Sequence, residues 1–138
     1  MLEAQPARLV IANRTLEKAE RLAERFRGAR GLSVDALSAS GYRELAGQQF
    51  QIVINSTSAS LNDTVPDLPR GVFAHDSLAY DMMYGKGMTP FLELALAQGA
   101  GQLADGIGML VEQAAQSFLT WRGVRPETRQ VIAALKAG

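Results

Sequence analysis

The sequence predicts an α/β domain built on a mostly parallel sheet with helices on both faces. Short apolar runs alternate with segments of helical periodicity. The order is strand, helix, strand, short helix, strand, strand, helix, short strand and two helices. Three of the strand runs also end in polar turns: Asn13-Arg14-Thr15, Asn55-Ser56-Thr57-Ser58 and Asp81 to Gly87. Sheets of this class bind ligands at the carboxyl ends of their strands, so the three turns can converge on one crevice.

Size and composition narrow the function classes. A chain of 138 residues is one domain by length and can bury a core. Its apolar fraction of 47% and charged fraction of 20% are those of a globular protein. Lys+Arg and Asp+Glu balance at 14 each, which leaves no bulk attraction to nucleic acid or to an anionic membrane. There is no cysteine, which excludes disulfides, thiolate metal sites and a cysteine nucleophile, and fits a cytoplasmic location. A single histidine rules out a histidine-rich metal site. No apolar run approaches the ~20 residues that span a bilayer. Met1 to Pro6 lacks the basic and apolar regions of a signal peptide and reads as the last turn of a helix, so further chain is expected upstream.

Leu9 to Ala12 is the first strand, set by Pro6 before it, Asn13 after it and Val10 and Ile11 within it. A helix follows from about Leu16 to Arg27. Leu16, Ala19, Leu22, Ala23 and Phe26 form its apolar face, Thr15 is the expected N-cap, and Gly28 to Gly31 close it. Leu32-Ser33-Val34 is a weak strand candidate and Gly41 to Ala46 a short helix. Phe50 to Asn55 is the clearest strand, and Asn62 to Gly71, with Pro66 and Pro69, is loop. Ser77 to Tyr80 reads as a strand. Thr89 and Pro90 open a helix as N-cap and first helical residue, and it runs to Gly99. Gln102 to Ala104 is a short strand. Long helices are expected from about Met109 to Trp121, ending at Gly123, and from Pro126 to Lys136. Phe118 and Trp121 read as core, and His75 as structural or exposed, with no evident partner.

The turns carry the chemistry. In a dinucleotide fold the tip of the second strand meets the adenosine ribose. An acidic residue there favours NAD, and an arginine favours the 2′-phosphate of NADP. Arg14 stands at such a tip, Lys18 lies one helical turn on, and Arg14 can also stack on adenine. On spacing alone an ordinary solvated arginine explains Arg14 better. Asn55 to Ser58 can contact a phosphate or ribose, or can simply cap a turn. Gly85, Gly87, Gly106 and Gly108 permit close approach of a ligand or serve turn geometry. Gln113, on a face with Leu110, Val111, Ala114 and Phe118, can hydrogen-bond a polyol or mark a boundary. No nucleophile–base pair or acid–base dyad stands out. The residues alone reach a nucleotide-binding α/β domain with an NADP leaning.

Taken together, four segments are more specific than any one of them. They are Asn13-Arg14-Thr15, Ile54 to Ser58, Tyr80-Asp81-Met82-Met83-Tyr84-Gly85-Lys86-Gly87-Met88-Thr89-Pro90-Phe91-Leu92, and Ala104-Asp105-Gly106-Ile107-Gly108-Met109-Leu110-Val111-Glu112-Gln113-Ala114-Ala115. In order and spacing they resemble the C-terminal half of shikimate dehydrogenase, and Phe118, Trp121, Gly123 and Pro126 continue the likeness. The resemblance implies a Rossmann-like three-layer sandwich and reversible NADPH-dependent reduction of 3-dehydroshikimate to shikimate. By motif it assigns Asn13, Arg14, Thr15 and Lys18 to the adenosine 2′-phosphate end of NADP. It assigns Ser58, Met82 and Gly106 to the cofactor crevice, with Met109 near the nicotinamide. Tyr84 and Gln113 are assigned to the substrate.

The departures are large. The family's substrate domain, its catalytic lysine and aspartate, and the first strand with its glycine-rich loop are not in these 138 residues. Lys86 and Asp105 match a catalytic pair in residue type only. The expectation is an incomplete Rossmann-like domain, inactive alone. Its missing strand would be replaced by direct pairing of the strands at Leu9 and Ile52, by another chain (self-association through unpaired edges), or by upstream residues. The alternatives are a non-catalytic nucleotide-binding or regulatory module of the same fold, and an interaction domain that binds no nucleotide.

Overall fold

The computed structural model describes residues 6–27, 36–57, 64–85 and 87–137. The expected N-terminal helix end, the glycine stop at 28–31, the strand at 32–34, Ser58 and Lys86 lie outside these residues. The chain divides into two compact units: Met1–Gln48 with Pro66–Val72, and Gln49–Val65 with Phe73–Gly138.

The first unit is a β-α-β element. Strands β1 (Leu9–Ala12) and β2 (Leu37–Ser40) pair in parallel, Leu9 opposite Leu37 and Ala12 opposite Ser40. The connection contains helix α1 (Leu16–Phe26), as parallel neighbours require. Main-chain bonds extend the ladder at both ends: Leu9 N–H to Ala36 O at 2.6 Å and Asn13 N–H to Ser40 O at 3.1 Å. Helix α1 buries Ala19 and Ala23, whose small side chains allow close packing, while Leu16, Leu22 and Phe26 stay partly exposed. The apolar face read from the sequence is therefore only half covered. A 3-10 turn at Arg43–Leu45 replaces the short helix expected at 41–46 and buries Leu45.

The second unit is a three-stranded parallel sheet in the order β3 (Phe50–Asn55), β4 (Phe73–Asp81), β5 (Gln102–Ala104). Strand β4 starts earlier than the four residues expected. Its register shifts between Phe50 opposite Phe73 and Ile52 opposite Leu78. Asp76, at φ 60°, sits in this irregular stretch. His75 has a partner after all: its Nδ1 lies 2.8 Å from Asp76 Oδ2 on the surface. Helix α2 (Pro90–Ala97) covers the sheet with Phe91, Leu92 and Ala95. The rings of Phe73 and Phe91 lie 6.2 Å apart at 54°.

Helix α3 (Ile107–Arg122) begins two residues before the expected Met109 and buries Ile107, Val111 and Ala115. Gly123 ends it in the left-handed conformation (φ 71°), its N–H on Leu119 O at 2.8 Å. Phe118 and Trp121 are not core: Phe118 continues the buried stripe by helical spacing but is 46% exposed, and Trp121 is 78% exposed. Helix α4 (Arg129–Ala137) starts three residues after Pro126 and buries none of its residues. A polar clasp leads into it. Arg125 pairs with Glu112 and donates to Gln116 Oε1 at 2.9 Å, and Thr128 Oγ1 donates to Glu112 Oε1 at 2.6 Å.

Among the described residues every strand pairing is parallel, as expected. The ladders form two sheets. Among the described residues no ladder pairs the Leu9 strand with the Ile52 strand.

Candidate functional site

At the tip of β1 the turn is built by Asn13. Its Oδ1 accepts the Thr15 N–H at 2.9 Å, a side-chain substitute for a backbone turn, while its own N–H is held by Ser40 O. Thr15 O accepts the Lys18 N–H at 3.0 Å and starts α1. Thr15 has N-cap geometry (φ −103°, ψ 104°), but its side chain makes no cap bond. Among the described residues the Leu16 and Glu17 amides and the Thr15 hydroxyl enter no cap bond and can meet a ligand.

Arg14 and Lys18 are exposed beside them, and among the described residues neither takes part in an ion pair. Lys18 occupies a first-turn position that helices favour for acidic residues, because the N-terminal end of the dipole is positive. A cation there is mildly unfavourable to the helix, and Glu17 beside it is the favoured sign. Asn13, Arg14, Thr15 and Lys18 lie together at this turn.

One residue of this region was not legible in the sequence. Tyr42, just past β2, places its phenol at Arg14. Burial pushes the Tyr42 pKa up, and the Arg14 backbone N–H and charge act against that.

In the second unit the tips of β3 and β4 are sewn together. Met82 N–H donates to Asn55 O at 2.9 Å. Asn55 Oδ1 accepts the Thr57 N–H at 3.1 Å and the Thr57 hydroxyl at 2.7 Å. Asn55 Nδ2 donates to Asp81 Oδ1 at 3.1 Å. Gly106 is the N-cap of α3, and its N–H donates to Met83 O at 3.0 Å. This glycine is buried against the main chain of Met82.

Three of the expected ligand residues border this junction with partly exposed side chains: Met82 (38%), Tyr84 (47%) and Met109 (37%). Gln113 is exposed one turn beyond Met109. It does not share an apolar buried face with Leu110, Ala114 and Phe118, all of which are exposed. Asp105 closes the turn that leads into α3, its Oδ1 accepting the Ile107 N–H at 3.2 Å and lying 3.9 Å from Lys136 Nζ. Among the described residues no group of three or more acidic or histidine side chains can hold a metal. No described helix is long and apolar enough to cross a membrane.

The profile of the Shikimate 5'-dehydrogenase C-terminal domain matches residues 106–136. The NADP(+)-dependent shikimate dehydrogenase of Nitrosospira multiformis is 59% identical over 137 residues, 99% of this chain and 48% of the relative. That of Chromobacterium violaceum is 57% identical over 136 residues, again 99% of this chain and 48% of the relative. The chain thus spans about half the length of the curated relatives it matches.

Among solved structures, an Ael1 enzyme from Pseudomonas putida superposes with a TM-score of 0.83 at 52% identity, over 97% of this chain and 47% of that one. A shikimate dehydrogenase in complex with NADP+ gives 0.74 at 29% identity, over 97% and 46%. The α/β fold with parallel strands is that of these Rossmann-like domains. Along nearly all of its own length, the chain is homologous to the C-terminal, NADP-binding region of shikimate dehydrogenase.

Proposed function

We propose that the chain is the NADP-binding part of a shikimate dehydrogenase, serving the reversible reduction of 3-dehydroshikimate to shikimate. The observation that carries this is the turn at β1. Two cations that enter no ion pair among the described residues stand beside a helix N-terminus with no side-chain cap and the Thr15 hydroxyl, a set that would suit a 2′-phosphate. A dianionic phosphate fits that set, and an unmodified ribose does not need it. The bound cofactor supplies the hydride.

The residues of this chain hold and orient. Asn13 shapes the turn, Arg14, Thr15 and Lys18 take the phosphate, and Met82, Gly106 and Met109 border the nicotinamide end. Tyr84 and Gln113 offer a phenol and an amide to a hydroxylated, carboxylated ring. Each unit pairs its strands in parallel, as the halves of a dinucleotide fold do. We read them as parts of one domain whose remaining strand and catalytic residues are not among these residues. The chain alone is therefore expected to turn over no dehydroshikimate.

Calorimetric titration of the chain with NADP+ and NAD+ tests the reading. Tighter binding of NADP+ is expected. Equal affinities, or no binding of either, would overturn it.

A further inference from the structure

Asp81 is completely buried (0% exposed) and is the only charged side chain so buried among the described residues. A carboxylate survives there only if donors replace its water. Asn55 Nδ2 and the Met83 N–H both donate to its Oδ1, each at 3.1 Å. The Thr89 hydroxyl donates to its Oδ2 at 2.6 Å. Thr89 is in turn the N-cap of α2, accepting the Leu92 N–H at 3.4 Å. One acceptor-only group thereby joins the tip of β3, the segment leaving β4 and the start of α2.

What this carboxylate fixes is the Met82–Met83 main chain. Met82 N–H goes to Asn55 O, Met83 N–H to Asp81, and Met83 O receives the Gly106 N–H. Held on both sides, this segment sets where the Met82 and Tyr84 side chains emerge. Asp81 itself has no surface through which to touch a ligand.

We infer that Asp81 is a positioning residue for the nicotinamide and substrate end of the site, acting through the Met82–Tyr84 segment and the Gly106 turn. The inference rests on the cofactor reading given above. The side-chain chemistry at 81 is specific. An asparagine keeps the acceptor for Asn55 and Met83 but turns an N–H2 toward Thr89. A leucine removes every one of these acceptors.

The test compares the unmodified chain with Asp81→Asn and Asp81→Leu. Amide hydrogen exchange is read by NMR, and affinities for NADP+ and for 2′,5′-ADP are read by calorimetry. The latter ligand carries only the adenosine end. In Asp81→Leu, exchange at Met83 and Gly106 should quicken about tenfold or more, with the amides of α1 unchanged. NADP+ should weaken by a similar factor while 2′,5′-ADP does not. Asp81→Asn should fall between, and it decides the matter if the leucine variant does not fold. Unchanged exchange at Met83 and Gly106, or equal quickening in α1 with equal loss of 2′,5′-ADP, would overturn the inference. Failure of the unmodified chain to bind NADP+ would instead sink the cofactor reading, and the exchange pattern would still decide whether Asp81 holds the segment.

Discussion

A Cβ built on Gly106 would lie 2.2 Å from the carbonyl oxygen of Met82, so the cap of α3 meets the segment after β4 backbone to backbone. Only glycine fits. Gly106→Ala must push the two main chains apart, and overpacking of this kind costs about 2 kcal/mol. The expected result is a lower urea midpoint with an unchanged slope, and weaker NADP+ binding. A variant as stable as the parent would mean the contact is softer than its geometry.

Arg14→Ala should lose most of the preference for NADP+ over NAD+. Loss of a charge-assisted bond to phosphate corresponds to about 1.5–3 kcal/mol, roughly ten- to a hundredfold in affinity. NAD+ binding should scarcely move. Competition titrations at fixed salt would read both.

Lys18→Glu separates stability from function. It places an acidic residue in the first turn of α1, where the helix dipole favours it. The variant is expected to be more stable by about 0.5 kcal/mol while binding NADP+ more weakly. Thermal unfolding and calorimetry on the same samples check the opposed signs.

Tyr42 gives a pH prediction. Burial raises its pKa above the ordinary 10.0, against the opposing influence of the Arg14 backbone N–H and charge. The folded chain then keeps a proton that the unfolded chain has released. The stability from this group is complete below about pH 10 and declines as pH climbs from there through the folded value. Urea midpoints of the parent should therefore fall more between pH 9 and 11 than those of Tyr42→Phe. Parallel curves would refute the raised phenol pKa.

Thr89→Ala removes both the cap of α2 and one donor to Asp81. A loss of about 2 kcal/mol is expected, with Thr89→Ser close to the parent. Chemical denaturation of the pair distinguishes the hydroxyl from the lost methyl.

The parts of this fold legible in the sequence were those written by local rules. Thr89-Pro90 announced a helix start, Gly123 a helix stop, and Phe50 to Asn55 a strand, because cap chemistry and β-branched runs act over a few residues. Strand β2 was missed because Leu-Ser-Ala-Ser lacks β-branched residues and is a strand only by pairing with β1. The Asn13 turn and its cations were visible as a motif. Tyr42 was not, since only the β1–β2 pairing brings it to Arg14. Asp81 read as the first residue of a polar turn. Its role depends on Asn55 and Thr89, which the chain brings to it from both directions. Phe118 and Trp121 were misread because hydrophobicity alone says nothing about whether a helix face meets a neighbour.

Trp121 has a practical consequence. It is the only tryptophan of the chain, and its indole stands in water at the end of α3. Selectively excited emission should already be red-shifted in the native chain and change little on denaturation, so unfolding curves belong to circular dichroism. The same ring is a sensitive optical label for whatever comes to lie over the last turns of α3. A blue shift on mixing with another polypeptide would report that event without any added dye.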